Sequence, residues 1–319
     1  MDTRGAAPTR RSLLALGAGA ALAAACTPAG GTASAAPAGG SASAAQGSAA
    51  PAKDGEEISG QLRDLERTHA ARLGVFAHNV ATGATVRHRA DERFPICSVF
   101  KPLAVAAVLR DLDRDGAFLA RRIRYTESDL ATHSPITGTA EHLAGGMTVE
   151  ELCDAAIRHS DNTAANLLLR ELGGPTAITR FCRSIGDPAT RLDRWETELN
   201  SAEPWRVEDT TTPRAIAGTY TRLCLRDGLE PQDRKRLTGW LLKNTTSGEQ
   251  FRKGLPKDWS VADKTGSGKY GTGNDVGIAW TADRSPIVLA VLTTKNDPAA
   301  KADYPLIAKT AAALAKALT

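Results

Sequence analysis

Ile58, Leu62, Leu65 and Leu73 recur at helical spacing, which predicts an amphipathic helix at the start of the folded part of the chain. The runs LGVFAHNV and ATVRHRA then flank the turn ATG and read as a β-hairpin. After RFPIC the polar segment gives way to SVFKPLAV, predicted to open an apolar helix near Ser98. The middle is helix-rich. TVEELCDAAIRHS starts with Thr148 and has Glu151 three residues on, a capping box, and TAANLLLREL is an apolar helix stopped by Gly173, Gly174 and Pro175. From LPKDWSVADKTG onward β-branched runs return as DVGIAWTA and SPIVLAVLTT, and residues 301–318 close as an Ala- and Leu-rich helix. The order predicts two lobes, with residues 56–92 and 242–319 forming a sheet with covering helices. Residues 93–241 would pack as an all-helical lobe. No internal repeat is present, and a small-molecule cleft is expected at the seam.

The N-terminus departs from this pattern. Arg10 and Arg11 precede an uncharged run from Ser12 to Ala25, which is too short for the roughly 20 residues that span a bilayer. Residues 1–26 therefore read as an export signal of the twin-arginine kind, and the protein is expected to be secreted. Cys26 after Leu-Ala-Ala-Ala resembles a lipoprotein processing site, so a lipid anchor there is one expectation and a plain signal peptide the other. Residues 27–52 contain only Ala, Gly, Ser, Thr, Pro and Gln, which cannot build a core; a flexible tether is assigned to residues 27–55. Composition adds little: 42% hydrophobic, 24% charged and a net charge of +4 are ordinary for a soluble globular protein and do not point to nucleic acid. The five cysteines at 26, 97, 153, 182 and 224 are too few and scattered for a disulfide framework, and Cys97 reads as a packed, inert thiol.

Chemistry enters through three short strings. SVFK at 98–101 puts Lys101 one helical turn from Ser98 on the same face; taken alone, it reads better as a helix cap with a lysine reaching back to solvent. SDN at 160–162 lies between two helical runs, and KTG at 264–266 ends a strand. Their joint occurrence, in this order and each at the end of an element facing the expected cleft, is a signature shared by class A β-lactamases and penicillin-binding proteins. A fourth string, RLDRWETELN, carries Glu196 and Asn200 at Glu-x-x-Leu-Asn spacing.

On these residues the chain resembles an exported class A serine β-lactamase of actinobacterial type, from about Ile58 to the C-terminus. The resemblance implies the two-lobe α/β (α+β) fold of these enzymes and penicillin-binding proteins, an antiparallel sheet flanked by helices plus an all-helical lobe. It implies Ser98 as nucleophile, with Lys101 or Glu196 acting through water as the acylation base. Ser160 would protonate the leaving nitrogen, and Glu196 with Asn200 would activate the deacylating water. The backbone N–H groups of Ser98 and Ser267 would form the oxyanion hole. Asn162 would hold the substrate's acylamide side chain, and Lys264 and Thr265 would meet its carboxylate. Gly266 and Gly268 would let substrate lie along the strand. Asp161 reads as structural, and Arg194 would pair with Asp209 to close the Glu196 loop.

Two departures stand out. His133 occupies the place of an aromatic gate residue. The positions expected to hold a carboxylate-gripping arginine read Gly273 and Gln250, with Arg252 close by. The rivals are a penicillin-binding D-Ala-D-Ala peptidase, disfavoured by the Glu196 loop, a serine-dependent glutaminase, and a non-catalytic β-lactam receptor. The six histidines show no metal-binding spacing, so no metal or other cofactor is expected. The partner would be a small β-lactam, and a monomer is the default.

Overall fold

The computed structural model describes residues 53–319; the export signal, Cys26 and nearly all of the tether lie outside them. The five strands of the large sheet are β1 (Arg72–Asn79), β2 (Thr85–His88), β3 (Ser260–Ser267), β4 (Gly273–Trp280) and β5 (Pro286–Thr294). All its pairings are antiparallel, in the order β2-β1-β5-β4-β3. The helices of seven or more residues are α1 (Lys53–Thr68), α2 (Lys101–Ala107), α3 (Val149–Arg158), α4 (Asn162–Glu171), α5 (Thr176–Ser184), α6 (Pro213–Leu225), α7 (Pro231–Leu242) and α8 (Tyr304–Leu318). Helix α1 begins at Lys53, so the last residues assigned to the tether are helical.

The central strand β5 shows why the sheet is a middle layer. Its Ile287, Leu289 and Val291 join a core with Leu62 of α1 and Leu314 of α8. Its Val288, Ala290 and Leu292 join a second core with Ile216 of α6 and Phe100. A strand buried on both faces reads as an unbroken apolar run because alternate side chains enter different cores.

The expected all-helical lobe needs correcting in two ways. The segment includes two short ladders, Phe94–Pro95 with Thr210–Thr211 and Arg122–Ile123 with Met147–Thr148. Helix α6, drawn in that lobe, packs on β1, β4 and β5 and forms the sheet's second cover. Sequence periodicity identifies an amphipathic helix but not which neighbour receives its apolar side.

The ends of α3 and α4 fix the loop between them. The predicted box caps α3: Glu151 N donates to Thr148 Oγ1 at 3.2 Å and Thr148 N to Glu151 Oε2 at 2.6 Å. Asp161 caps α4, accepting from Ala164 N at 2.9 Å. Fully buried, it also accepts from Ile136 N, Thr137 N and Thr137 Oγ1 at 3.0, 2.9 and 2.8 Å, which gives Asp161 the structural role.

Candidate active site

Ser98 does not start an α-helix and does not cap one. It sits in a 3₁₀ turn, Cys97–Phe100, entered through a left-handed Cys97 (φ 44°), with α2 following at Lys101. In a 3₁₀ turn the side chains at i and i+3 eclipse, which sets Lys101 beside Ser98 more directly than an α-turn would. Ser98 is 7% exposed and Lys101 fully buried. A buried ammonium needs oxygens around it. Lys101 Nζ donates to Asn162 Oδ1 at 2.5 Å and Ser160 O at 2.7 Å, and lies 3.3 Å from both Ser160 Oγ and Glu196 Oε1. Burial lowers the Lys101 pKa below the usual lysine value, with Glu196 acting in the opposite direction.

Glu196 arrives from the loop whose base is held by Arg194 Nε donating to Asp209 Oδ2 at 2.5 Å. Ser98 Oγ donates to Glu196 Oε1 at 3.3 Å, and Asn200 Nδ2 to Glu196 Oε2 at 2.5 Å. One carboxylate oxygen thus faces both the hydroxyl and the ammonium. The backbone of Glu196 is clamped by a residue the sequence reading missed. Asn166 Nδ2 donates to Glu196 O at 2.8 Å, and Glu196 N to Asn166 Oδ1 at 3.0 Å. The available signal was spacing, since Asn166 follows Asn162 by four residues on the same helix face.

The opposite wall is β3. Lys264 is fully buried and does not reach the cavity surface; its Nζ donates to Ser160 Oγ at 2.9 Å and Thr265 O at 2.8 Å. It stands behind Ser160, with its ammonium directed at the Ser160 hydroxyl. Burial, then the nearby Lys101 charge, pulls its pKa down to about 7. Beside it two fully buried carboxyls, Asp263 and Asp275, share the interior; burial and then Asp263 hold the Asp275 pKa well above the carboxylate range. Thr265 and Thr246 share a hydroxyl–hydroxyl hydrogen bond of 2.5 Å. The glycines serve packing. A Cβ on Gly266 would meet Ser98 N at 3.1 Å, and one on Gly268 would meet Asn200 O at 2.8 Å, so both let β3 approach the Ser98 turn and the Glu196 loop.

These walls enclose a cavity of about 310 Å³ lined by Ser98, His133, Ser160, Asn162, Asn200, Thr246, Gln250, Thr265, Gly266, Ser267 and Tyr304. His133, in a left-handed conformation (φ 64°), is exposed at its rim. Asn162 has both ends of its amide engaged, its Nδ2 donating to Thr132 O at 2.7 Å. Arg252 is absent from the lining. It donates to Ser247 Oγ at 2.7 Å and to Val261 O and Asp263 Oδ1 at 2.9 Å each, so it serves the strand rather than the cleft. Cys97 is buried, and burial pushes its thiol far up in pKa, which keeps it unreactive.

The model of the Beta-lactamase enzyme family matches residues 57–318. The chain belongs to the beta-lactamase enzyme family, class A. It is 62% identical to a beta-lactamase of Streptomyces lavendulae and 60% identical to one of Streptomyces fradiae, each match covering all of both chains. Its fold is similar to the solved beta-lactamase from Streptomyces albus G, with TM-score 0.82 and 60% identity over 82% of this chain and all of that one. A mutant of the class A beta-lactamase of the last common ancestor of Gram-negative bacteria matches with TM-score 0.78 and 50% identity, over 82% of this chain and 98% of that one. The antiparallel sheet flanked by helices is the fold these class A enzymes share.

Proposed function

We infer that this class A serine β-lactamase hydrolyses the β-lactam ring of penicillin- and cephalosporin-type antibiotics, and so confers resistance, through an acyl-enzyme. One observation carries the mechanism: Glu196 Oε1 lies 3.3 Å from both Ser98 Oγ and Lys101 Nζ. Ser98 Oγ attacks the strained carbonyl while its proton passes to the Lys101–Glu196 pair. Backbone N–H groups of Ser98 and Ser267 stabilise the developing oxyanion. The C–N bond breaks as Ser160, hydrogen-bonded to Lys264, gives its proton to the leaving nitrogen and recovers one from Lys101, whose Nζ lies 3.3 Å from its hydroxyl. Water then attacks the ester carbonyl, losing its proton to Glu196, which Asn200 orients; as the C–O bond breaks that proton passes to Ser98 Oγ, restoring the hydroxyl and the carboxylate.

Glu196→Ala tests this division of labour. Mass spectrometry after mixing with benzylpenicillin should show a lasting adduct of one intact penicillin, with turnover down by about a thousandfold. Unchanged steady-state hydrolysis refutes the role. A peptidase or a covalent receptor, the readings set aside here, would give a persistent adduct in the unaltered protein.

The N-terminal pattern supports export through the twin-arginine route, with the enzyme acting outside the cytoplasm, either free after cleavage of a plain signal peptide or attached at Cys26. Replacing Arg10 and Arg11 with lysines should abolish export of activity; activity that Cys26→Ser moves from the membrane fraction into the medium marks an anchor, and activity already in the medium in the unaltered protein marks a plain signal peptide.

A further inference from the structure

A second groove, of about 510 Å³, shares no lining residue with the catalytic cavity. It runs along the outer face of α3, where Glu151, Asp154 and Arg158 follow one another at helical spacing. Its floor is apolar: Met147, Ala155 and Trp240 of α7 are 1%, 2% and 9% exposed, and half-buried Ile136 adds to them. Its rim is acidic. Glu150, Glu151 and Asp154 stand against one cation, Arg158, which Asp154 already holds at 2.9 Å. Glu150 and Glu151 meet arginines from outside the groove only at 3.7 and 3.8 Å, with half-exposed side chains, so these pairs neutralise little.

A concave apolar floor with a few charged groups at its edge is the form of a small-molecule site. Among the described residues no group of three or more His, Cys, Asp or Glu side chains is arranged to hold a metal ion, so the charge calls for an organic cation. Its apolar body would rest on the Trp240 ring, which also attracts an ammonium, and its charge would meet Glu150 and Glu151.

The groove is bonded to the Ser160 loop at three places. Ile136 N donates to Asp161 Oδ2 at 3.0 Å. Arg158 O accepts from Thr245 N at 3.0 Å and Thr245 Oγ1 at 2.7 Å, one residue before Thr246 of the cavity. His159, which lines the groove and precedes Ser160, has its carbonyl 3.2 Å from Nε2 of the rim residue His133. A ligand displaces an equilibrium only by binding its arrangements unequally, and these bonds are where arrangements around Ser160 can differ.

We propose that this groove is a second binding site, for an organic monocation with an apolar body, and that its occupation alters proton delivery by Ser160 without blocking the catalytic cavity. The ligand changes kcat and leaves KM nearly unmoved, because the substrate's own contacts lie elsewhere.

The probe is 4-phenylbutylammonium, with 4-phenylbutanol and 4-phenylbutyrate as its neutral and anionic matches. Titrated into the isotopically labelled whole protein, the cation should give saturable amide NMR shifts at α3, Ile136 and the 159–162 loop. Half-saturation on the order of 1 mM suits a ligand this small. Glu150→Gln/Glu151→Gln, whose glutamine can still complete the α3 capping box, should weaken the cation about fivefold and leave the alcohol unmoved. In steady-state hydrolysis of a chromogenic cephalosporin, the bound cation should change kcat by about twofold or more. Absence of saturable shifts, equal binding of the anion, unaltered affinity in the double variant or purely competitive kinetics overturns the proposal. Saturable binding with kcat unchanged overturns the link to Ser160. Only the kinetic arm rests on the β-lactamase reading: a protein that binds the cation but hydrolyses nothing refutes that reading, and with it the link to Ser160, but not the site.

Discussion

Two fully buried lysines stand on opposite walls of the same cavity and are held differently. Lys101, on the helical wall, has a carboxylate oxygen at 3.3 Å and accepting oxygens from Asn162 and Ser160. Lys264, on the strand wall, has a hydroxyl and a carbonyl for partners and Lys101 as a neighbouring like charge. Both pKa values are lowered, by burial first. The difference lies in what opposes burial. At Lys101 it is the Glu196 carboxylate in direct contact, close enough for a proton to pass between them in the proposed mechanism. At Lys264 it is only more distant carboxylates, so its charge can be restored by a bound anion. One residue type at equal burial is thus set beside a carboxylate on one wall and beside a hydroxyl and a carbonyl on the other.

Several experiments bear on that contrast. The largest effect should come from Ser98→Ala, because neither lysine has a nucleophile to serve without it. Turnover of a chromogenic cephalosporin should fall by about 10⁴-fold or more, with no adduct by mass; an adduct at another residue breaks the scheme. Next are the lysines themselves. Lys101→Met should slow acylation by about a thousandfold in single-turnover measurements, while Lys264→Met should raise KM for carboxylate substrates more than it lowers kcat. If the two variants share one kinetic signature, the division between walls is wrong.

Arg252→Ala should cost about 2 kcal/mol in urea unfolding, since it leaves buried Asp263 without its cation, discounted because the arginine is partly exposed. KM for carboxylate substrates should be insensitive to it, because Arg252 does not line the cavity. Smaller again is the pH effect. With Lys264 near 7, kcat/KM for an acid substrate should decline above neutrality, by about tenfold per unit at the limit. A bound carboxylate favours the ammonium, so the kcat limb lies at higher pH, and Lys264→Arg removes the limb. A flat profile from pH 6 to 9 contradicts this. The sign for stability is opposite. The folded state releases this proton before the unfolded one, so the Lys264 contribution to stability rises between about pH 7 and the ordinary lysine value of 10.5.

Much of the site was legible along the chain. Ser98, Lys101, Ser160, Asn162, Glu196, Asn200, Thr265 and Ser267 all come to one cavity or its immediate wall, because each sits in a short string whose spacing is itself the local geometry. The hairpin, the capped α3 and the closing α8 were legible for the same reason: periodicity and caps are properties of neighbours in sequence. Asn166 was missed although its spacing was visible, since no local rule says that a helix amide will clamp a distant loop. Tyr304 carries no local signature at all, and Gln250 stood out only as a place where an arginine was expected.

The chain by itself determined the reagents and their order: a serine with a lysine one turn on, a second serine at a helix junction, a carboxylate in a loop, and a strand to close the cleft. Only the tertiary structure decided that Lys264 stands behind Ser160, that Arg252 turns into the fold, that α6 covers the sheet, and that Gln250 and Tyr304 face the cavity. The physical reason is range. Spacing governs contacts within a turn or a strand, whereas charge state, burial and unmet hydrogen bonds depend on groups such as Lys264 and Ser160, which meet at 2.9 Å from 104 residues apart.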